Sequence, residues 1–501
     1  MKKELIRGAI MTVAVMVILP LTSRAISLNE TYMYDAEGRS YSAPTAYTMT
    51  QKLYGENMGT TALEKPQDIY VTDGSIYVAD TGNNRIVITD ETFHVKKIIT
   101  HGIKNGEPSD LNQPYGVFFG SDKLLYICDT GNLRIIALDE QQRIVREIFG
   151  ENLTSVNEKF EFKPQKLVVD RDSSVYAVAP DIYQGILHFG ADNCFAGFFA
   201  PNQVEATFSV KIANMWKNLF SEKQQDKMEK ALPSPYNNIY QGTERFIYTT
   251  AGKVPVGDEV KCLNTLGTNI LQASQKISGT AVFGDLQTAY ENGKEITSNF
   301  VDVHADTNGL ICALDETRGR LFLYDKECNL VGIFGGKEDY GGTLKEPIAV
   351  EKLGERYLVL DMATDSLNVY APTAYMHDVL DALSDYNAGY YAQSVDKWET
   401  VLQQNANYVL AYRSIGRAYL QKGDYEGAME MLQKGDDQYF YSMALKEFRK
   451  VYLRKNLWWL AVVTIGGLTA LSMMVKRLRK WMLSEETHRP ASASENDRMG
   501  A

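Results

Sequence analysis

The chain has 501 residues, of which 45% are hydrophobic and 23% are charged, and this composition is typical of a protein with about two or three folded units. Its formal net charge of −11 at pH 7 argues against a nucleic-acid partner, because general binders of the phosphate backbone need clustered Lys and Arg. The five Cys residues form no CxxC pair and the six His residues are scattered, so the sequence indicates neither a structural zinc site nor a disulfide scaffold.

Residues 1–25 have the pattern of a secretory signal. Basic residues at the start precede an apolar run over residues 9–21, and Ser23 and Ala25 occupy the two positions that a signal peptidase reads. The apolar run is too short to favour a stable membrane span. We therefore predict that the chain is exported, with an uncleaved N-terminal anchor as the alternative.

The central part of the chain repeats a short unit, which is clearest in residues 65–88 and 113–138. In both copies a Pro begins a strand, a polar turn leads to a second strand that ends in Asp, and a Thr-Gly-Asn turn precedes an Arg and a third strand. The Asp-to-Arg spacing is the same in both copies, which contain Asp80 with Arg85 and Asp129 with Arg134. The Gly of each turn, Gly82 or Gly131, is predicted to supply the positive φ of a tight turn.

Four weaker copies follow, and they begin at Pro164, Pro235, Phe300 and Pro347. Six units of short antiparallel strands predict a β-propeller, because closure into a ring protects the strand edges that a single sheet would expose. An Asp recurs at one repeat position, as Asp80, Asp129, Asp315 and Asp361. Recurrence around a ring predicts a structural role for these carboxylates, in which Asp and Arg bond across or between blades.

These units resemble NHL repeats, whose fold is a β-propeller. The resemblance covers about residues 60–372 and is closest in the first two copies, whereas Ala179 and Thr250 replace the Asp in the third and fourth. It implies a mainly β protein with a six-bladed propeller over residues 30–372. Residues 30–59 look strand-like and are expected to complete the last blade with an N-terminal strand.

A helical insertion is predicted at residues 203–232, between the third and fourth copies. Apolar residues recur there at the spacing of an amphipathic helix, namely Ile212, Met215, Trp216, Leu219 and Phe220. This apolar face either packs on the propeller or contacts a partner or the membrane surface. In the second case Trp216 is the candidate contact residue.

After residue 372 the apolar spacing changes from that of strands to that of helices. Residues 409–442 resemble a TPR repeat and residues 375–408 resemble one more loosely, so TPR-like helices are predicted over residues 375–455. Two repeats fall short of the three that an independent solenoid needs, and we expect this unit to lean on the propeller or on a partner. The resemblance implies a partner-binding groove lined by Arg413, Arg417 and Gln421, with a structural spacer as the alternative.

A transmembrane helix is predicted at residues 457–475, which carry no charge and, at about 1.5 Å per residue, can cross about 30 Å of hydrocarbon. Two Trp residues lie at one boundary and a basic cluster begins at Lys476 on the other. A helix at about 441–455 is expected to continue into this span. Residues 476–501 are predicted to be a cytoplasmic tail, disordered from residue 481 onwards. The propeller and the helical repeats are then extracellular.

This order of units resembles an accessory component of bacterial surface uptake systems. The resemblance implies a membrane-anchored binding or assembly protein whose partners are membrane proteins or subunits of an ABC-type transporter, with carbohydrate as a ligand class. No cofactor is expected.

The alternative is a propeller enzyme of the metal-dependent lactonase or lyase type, with a metal held in the central channel. His188 and His304 fall in strand-like segments that could face the channel, yet each stands alone. No Ser-His-Asp order, phosphate loop or nucleophile elbow is evident. We therefore predict no catalytic or metal-binding residues and interpret the chain as a protein that is not an enzyme.

Overall fold

The computed structural model describes residues 31–150, 153, 161–180, 182–201, 234–242, 245–252, 254, 257–271, 283–286, 289–291, 294–337 and 343–486. Three parts of the sequence-based prediction lie outside these residues. They are the signal sequence at residues 1–25, the helical insertion at residues 203–232 with Trp216, and the end of the tail at residues 487–501.

Short elements precede the repeats. They are β1 (Tyr32–Tyr34), β2 (Ser40–Ser42), β3 (Tyr47–Leu53) and the short helix α1 (Gly55–Met58). The strands β1 and β2 pair as an antiparallel hairpin.

Each of the six predicted repeats forms one antiparallel sheet, and each sheet is one blade of a propeller. Blade 1 contains β4 (Asp68–Thr72), β5 (Ser75–Asp80), β6 (Arg85–Asp90) and β7 (Val95–Ile99). A hairpin of β8 (His101–Lys104) and β9 (Glu107–Asp110) leads to blade 2, which contains β10 (Pro114–Phe119), β11 (Leu125–Asp129), β12 (Arg134–Leu138) and β13 (Ile144–Phe149). Blade 3 contains β14 (Lys166–Val169), β15 (Val175–Val178), β16 (Ile186–Phe189) and β17 (Phe195–Phe199).

The second half of the ring follows the same plan. Blade 4 contains, among the residues that the structure describes, β18 (Tyr236–Gln241), β19 (Ile247–Ala251) and β20 (Val260–Leu263). A hairpin of β21 (Ala289–Glu291) and β22 (Lys294–Ile296) leads to blade 5, which contains β23 (Phe300–Ala305), β24 (Ile311–Asp315), β25 (Arg320–Tyr324) and β26 (Leu330–Gly335). Blade 6 contains β27 (Pro347–Leu353), β28 (Arg356–Asp361) and β29 (Ser366–Pro372).

The N-terminal strand β3 closes the ring. It pairs with β29 as the fourth strand of blade 6, in an antiparallel register that runs from Leu367 opposite Leu53 to Pro372 opposite Tyr47. The prediction that residues 30–59 complete the last blade is confirmed. Because the two strands come from opposite ends of the propeller, their hydrogen bonds hold the first and last parts of the ring together.

The recurrent Asp holds the loop that enters its blade. Asp80 is fully buried, and its carboxylate accepts hydrogen bonds from the backbone N–H of Glu64 at 2.7 Å and from Nε of Arg85 at 2.6 Å. Asp129 repeats this arrangement with the N–H of Asn112 at 2.8 Å and with Nε of Arg134 at 2.7 Å. These contacts confirm the predicted structural role.

The Thr-Gly-Asn turns use their Gly residues differently from the prediction. The positive φ falls on Asn84 (53°) and Leu133 (55°), the residues after each turn, and not on Gly82 or Gly131. A Cβ atom on Gly82 would lie 2.6 Å from the carbonyl oxygen of Glu64. These two positions therefore require glycine because the preceding loop leaves no room for a Cβ atom. They do not require glycine for a positive φ.

Helices α2 (Ala374–Asn387), α3 (Tyr391–Gln404), α4 (Val409–Lys422), α5 (Tyr425–Lys434) and α6 (Gln438–Glu486) follow the propeller. Each packs on the next. Helix α6 contains both the predicted helix at 441–455 and the predicted span at 457–475, as expected. It continues past residue 475 to Glu486, so residues 481–486, which were predicted to be disordered, are helical. No Pro or Gly interrupts the sequence between residues 476 and 486, and nothing there stops the helix.

The helices α2–α4 share a hydrophobic core with the propeller. Trp398 and Tyr408, both at most 1% exposed, belong to the same buried cluster as Phe334 of blade 5 and Tyr47 of β3. The Tyr408 hydroxyl donates a hydrogen bond of 2.7 Å to the backbone carbonyl of Val331 in β26. The expectation that the helical unit leans on the propeller is confirmed, whereas its assignment as TPR remains a prediction.

Candidate functional site

The centre of the propeller is lined by the first strand of each blade. These strands, β4, β10, β14, β18, β23 and β27, contact one another in a closed ring. They enclose a cavity of about 20 Å³ that residues of all six blades line. A cavity of this volume holds about one water molecule.

A buried carboxylate joins the first three blades. Asp68 of blade 1 accepts a hydrogen bond of 2.9 Å from the backbone N–H of Val117 in blade 2. It also forms an ion pair with the ammonium group of Lys166 in blade 3. Both charged side chains are at most 10% exposed. Because one carboxylate binds donors from two neighbouring strands, it fixes the spacing of three blades at the axis.

A second buried carboxylate joins the other three blades. Asp302 of blade 5 accepts hydrogen bonds from the side-chain amide of Asn238 in blade 4 and, at 2.7 Å, from the backbone N–H of Val350 in blade 6. The positive charge of Lys166 interacts electrostatically with Asp302 as well as with Asp68. The two carboxylates and Lys166 therefore form one network, the axial network, that reaches all six blades.

Burial changes the protonation of this network. Burial raises the pKa of Asp302 to about 7; the positive charge of Lys166 opposes this shift, and the negative charge of Asp68 adds to it. Burial lowers the pKa of Lys166, but the negative charges of Asp302 and Asp68 outweigh burial and raise this pKa above its usual value. Lys166 is thus the cation that the two carboxylates share.

The two His residues considered in the sequence lie in different places. His304 of β23 is buried beside the axis, where its Nδ1 atom lies 2.8 Å from Oε2 of Glu351. His188 lies on β16, the third strand of blade 3, and its ring stacks on Tyr176 at a centroid distance of 4.5 Å. Within the part of the chain that the structure describes, no three His, Cys, Asp or Glu residues are placed to hold a metal ion.

Sequence reasoning missed the axial network. Asp68, Lys166 and Asp302 each stand two residues after the start of their repeat, at Pro66, Pro164 and Phe300. A charged residue at the same position of an otherwise apolar first strand was the signal that could have found them. The arrangement holds the blades together at the axis. The cavity that it leaves is the size of one water molecule and excludes an organic substrate.

The predicted partner-binding residues Arg413 and Arg417 both contact the propeller. Arg417 pairs with Glu327 at 2.5 Å and with Asp437 at 2.8 Å, and its guanidinium lies over the ring of Phe440. Arg413 donates hydrogen bonds to the carbonyl of Gly435 at 2.7 Å and to Oδ1 of Asn329 at 2.9 Å. Both arginines therefore hold α4 against the turn between β25 and β26.

The third predicted residue, Gln421, lies elsewhere. It lines a groove of about 160 Å³ between α3 and α4, which we call the α3–α4 groove. The other lining residues are Tyr391, Ala392, Val395, Ala418 and Lys422. The structure thus separates the three predicted residues, because Gln421 lines a surface groove whereas Arg413 and Arg417 contact the propeller. Their role in partner binding remains a prediction.

A larger cavity of about 370 Å³ lies where the β1–β2 hairpin, blade 5 and α4 meet. Its lining includes Tyr34 and Asp35 of the hairpin, Leu330 of blade 5, and Arg413 and Tyr408 of the helical unit. Sequence reasoning could not find this junction cavity, because its walls come from segments that are distant in the chain. Its mixed apolar and charged lining suits a small polar ligand or a partner side chain.

Comparison with protein families gives one match: residues 63–88 match the NHL repeat model. No curated protein matches the chain.

Solved structures similar to this chain include a streptogramin B lyase, with 10% identity, a TM-score of 0.39 and coverage of 66% of this chain and 98% of that one. Virginiamycin B lyase from Staphylococcus aureus has 10% identity, a TM-score of 0.38 and coverage of 65% and 99%. An exported protein from Bacteroides fragilis has 8% identity, a TM-score of 0.40 and coverage of 69% and 98%.

Proposed function

We propose that this six-bladed propeller, which carries an NHL repeat, forms together with helices α2–α5 the extracellular head of a membrane-anchored binding or assembly protein without catalytic activity. The observation that supports the proposal is the continuity of α6. The helix begins packed on α5, with Ala444 buried against Ala428 and Leu432. It then becomes the candidate membrane span, whose most apolar window has a mean hydropathy of 1.7 and is 0% buried. An exposed apolar helix of this length is stable in a bilayer and not in water.

The geometry of the head favours binding over catalysis. The axial network fills the channel in which a propeller enzyme of the alternative class would hold its metal and substrate. The α3–α4 groove and the junction cavity are open to partners, and both lie on or beside the helical unit. Binding would therefore take place where the head approaches the membrane anchor.

The partners that we propose are membrane proteins, and more narrowly the subunits of an ABC-type uptake system for carbohydrate. The support is the order of units along the chain: an export signal, a propeller, a helical unit and a C-terminal span. Carbohydrate is the proposed ligand class of the same system.

Affinity purification of the full chain from a mild detergent extract tests this proposal. The subunits of a transporter should co-purify with the wild type, and Gln421→Ala with Lys422→Ala should reduce their yield several-fold. The matched control is Gln433→Ala with Lys434→Ala, which changes the same pair of residue types on the exposed surface of α5. If no transporter subunit co-purifies and the purified protein binds no glycan, the uptake proposal is wrong.

The alternative, a metal-dependent propeller enzyme, is favoured by the carboxylates at the axis of the ring. Asp68, Asp302 and Glu351 line the central cavity, and carboxylates are common metal ligands, although these three are not placed to hold one ion together. The metal content of the purified full chain, compared with that of Asp302→Asn, tests whether these carboxylates hold a metal ion. A stoichiometric divalent ion that the variant loses would contradict the proposed absence of catalysis.

A further inference from the structure

Helix α6 contains an exposed segment that lies between its first turns, which pack on the head, and the candidate span. The ring of Phe440 lies under Arg417 at 4.2 Å, and Ala444 is fully buried, so the first turns of α6 are fixed to the head. From residue 446 to residue 456 the helix leaves α5 and is largely exposed. We call residues 446–456 the stalk.

The stalk is basic, although the whole chain is acidic. It carries five positive side chains, namely Lys446, Arg449, Lys450, Arg454 and Lys455, and one negative side chain, Glu447. The chain as a whole has a formal net charge of −11. Glu447 forms an exposed ion pair of 2.5 Å with Lys450. The other four positive charges have no negative side chain within the stalk to compensate them.

Helical geometry places most of these charges on one face. Lys446, Arg449, Lys450 and Arg454 follow one another at spacings of i, i+3, i+4 and i+8. At about 100° per residue these positions fall within one side of the helix. Their side chains are exposed apart from the single contact with Glu447.

The continuity of α6 places this face beside the membrane surface. Lys455 precedes Leu457 by two residues, which is about 3 Å along the helix, and Lys446 lies about 16 Å from Leu457. The Debye length is about 8 Å at physiological ionic strength, so Arg454 and Lys455 lie well within the range of charged headgroups. The exposed indoles of Trp458 and Trp459 mark the boundary between headgroups and hydrocarbon.

We propose that the stalk binds the anionic headgroups of the phospholipids in the bilayer that α6 crosses. This inference depends on the proposed membrane anchoring. Exposed Lys and Arg side chains beside a negatively charged surface attract it, and the attraction increases with the number of charges. Because α6 is continuous and its first turns are fixed to the head, headgroup binding at the stalk also holds the propeller at a set distance from the membrane.

The test compares two triple variants of the full chain. The stalk variant carries Lys450→Gln, Arg454→Gln and Lys455→Gln. The control variant carries Lys65→Gln, Lys96→Gln and Lys123→Gln, three exposed lysines of the propeller. Each protein is reconstituted with equal amounts of phosphatidylglycerol and phosphatidylcholine and returned to mild detergent, and the retained lipids are counted by native mass spectrometry.

The wild type and the control variant should retain phosphatidylglycerol in excess over phosphatidylcholine. The stalk variant should lose at least about half of this excess, and added salt should reduce it in the wild type. The basic residues from Lys476 onwards remain in all three proteins, so the difference reports the stalk alone.

An equal excess in the wild type and the stalk variant, or no excess in the wild type, would overturn the inference. So would a stalk variant that keeps its lipids but loses a co-purifying membrane protein, because the surface would then belong to a protein partner. Alkaline extraction separates this inference from the proposed function. A wild type that alkaline buffer releases from membranes contradicts both, whereas one that stays inserted without a lipid preference overturns the stalk inference only.

Discussion

The guanidinium Nη1 of Arg417 lies 2.5 Å from Oε2 of Glu327, and this ion pair joins residues 90 positions apart in the sequence. Glu327 belongs to the turn between β25 and β26 of the propeller, and Arg417 belongs to α4. Arg417 also pairs with Asp437, which precedes α6. A single side chain thus connects the propeller, the helical unit and the segment that precedes α6, the helix with the candidate membrane span.

Substitution of Arg417 should loosen this junction. Arg417→Met leaves the carboxylate of Asp437, which is 3% exposed, without its counter-ion, and loss of one partner of a buried pair costs about 3 kcal/mol. The expected result is faster amide hydrogen exchange in α2–α5 while the blades keep their protection. Gln421→Met on the same helix is the control, because Gln421 lines the surface groove. Unchanged exchange in Arg417→Met would refute the role given to this residue.

The axial network should be essential for the stability of the ring. Lys166→Met removes the cation shared by Asp68 and Asp302, and we expect the free energy of unfolding to fall by about 3–5 kcal/mol in denaturant titrations. Lys163→Met is the matched control. Its side chain is 51% exposed and pairs with Glu161 on the surface, where such a pair contributes at most about 1 kcal/mol. Equal losses in the two variants would show that the network does not hold the blades.

The stability of the head should depend on the protonation of Asp302. Burial raises the pKa of its carboxyl from 3.8 to about 7, so between these values the folded protein binds more protons than the unfolded chain. Stability therefore falls as the pH rises from about 4 to about 7. Burial raises the pKa of Asp315 and of Asp325 to about 6, which adds to the same trend.

Asp302→Asn isolates the contribution of this one carboxyl. The amide does not titrate, so unfolding free energies measured across the same pH range should fall less steeply in the variant than in the wild type. Parallel pH profiles for the two proteins would contradict the assignment of the raised pKa to Asp302.

Removal of the candidate span should release the head. A chain that ends at Asn456 keeps the propeller, α2–α5 and the stalk but lacks the charge-free apolar run of residues 457–475. Alkaline extraction should release it from the membrane pellet, whereas the full chain should resist the same extraction. A truncated chain that stays as tightly in the membrane as the full one would mean that another part of the protein anchors it.

The periodic features of the fold could be predicted from the sequence. Each blade is built from one repeat, so the copies at Pro66 and Pro114 indicate strand order and turn positions by local pattern alone. The charge-free run at residues 457–475 likewise indicates a membrane span without reference to the rest of the chain. The closing strand β3 was predictable because a ring of blades needs a partner for its last edge.

The contacts between distant segments could not be predicted. Lys166 and Asp68 are 98 residues apart, and only the closed ring brings them together at the axis. Arg413 and Arg417 were predicted to line a TPR-like groove, but the docking of α4 on blade 5 gives them acceptors in the propeller. Gly82 shows the same limit within one blade, because glycine is required there by the approach of the preceding loop at Glu64, which the local sequence of the turn does not indicate.

The central claim, a propeller held outside the cell by α6, is tested most directly at Cys194. This thiol is exposed on blade 3, whereas the other four Cys residues of the chain are buried. Intact cells are treated with a membrane-impermeant maleimide at mildly alkaline pH, because the carboxylate of Asp192 raises the pKa of Cys194. We predict labelling of the wild type in intact cells and none in Cys194→Ser. Labelling of Cys194 only after the cells are permeabilised would place the propeller in the cytosol and contradict the account.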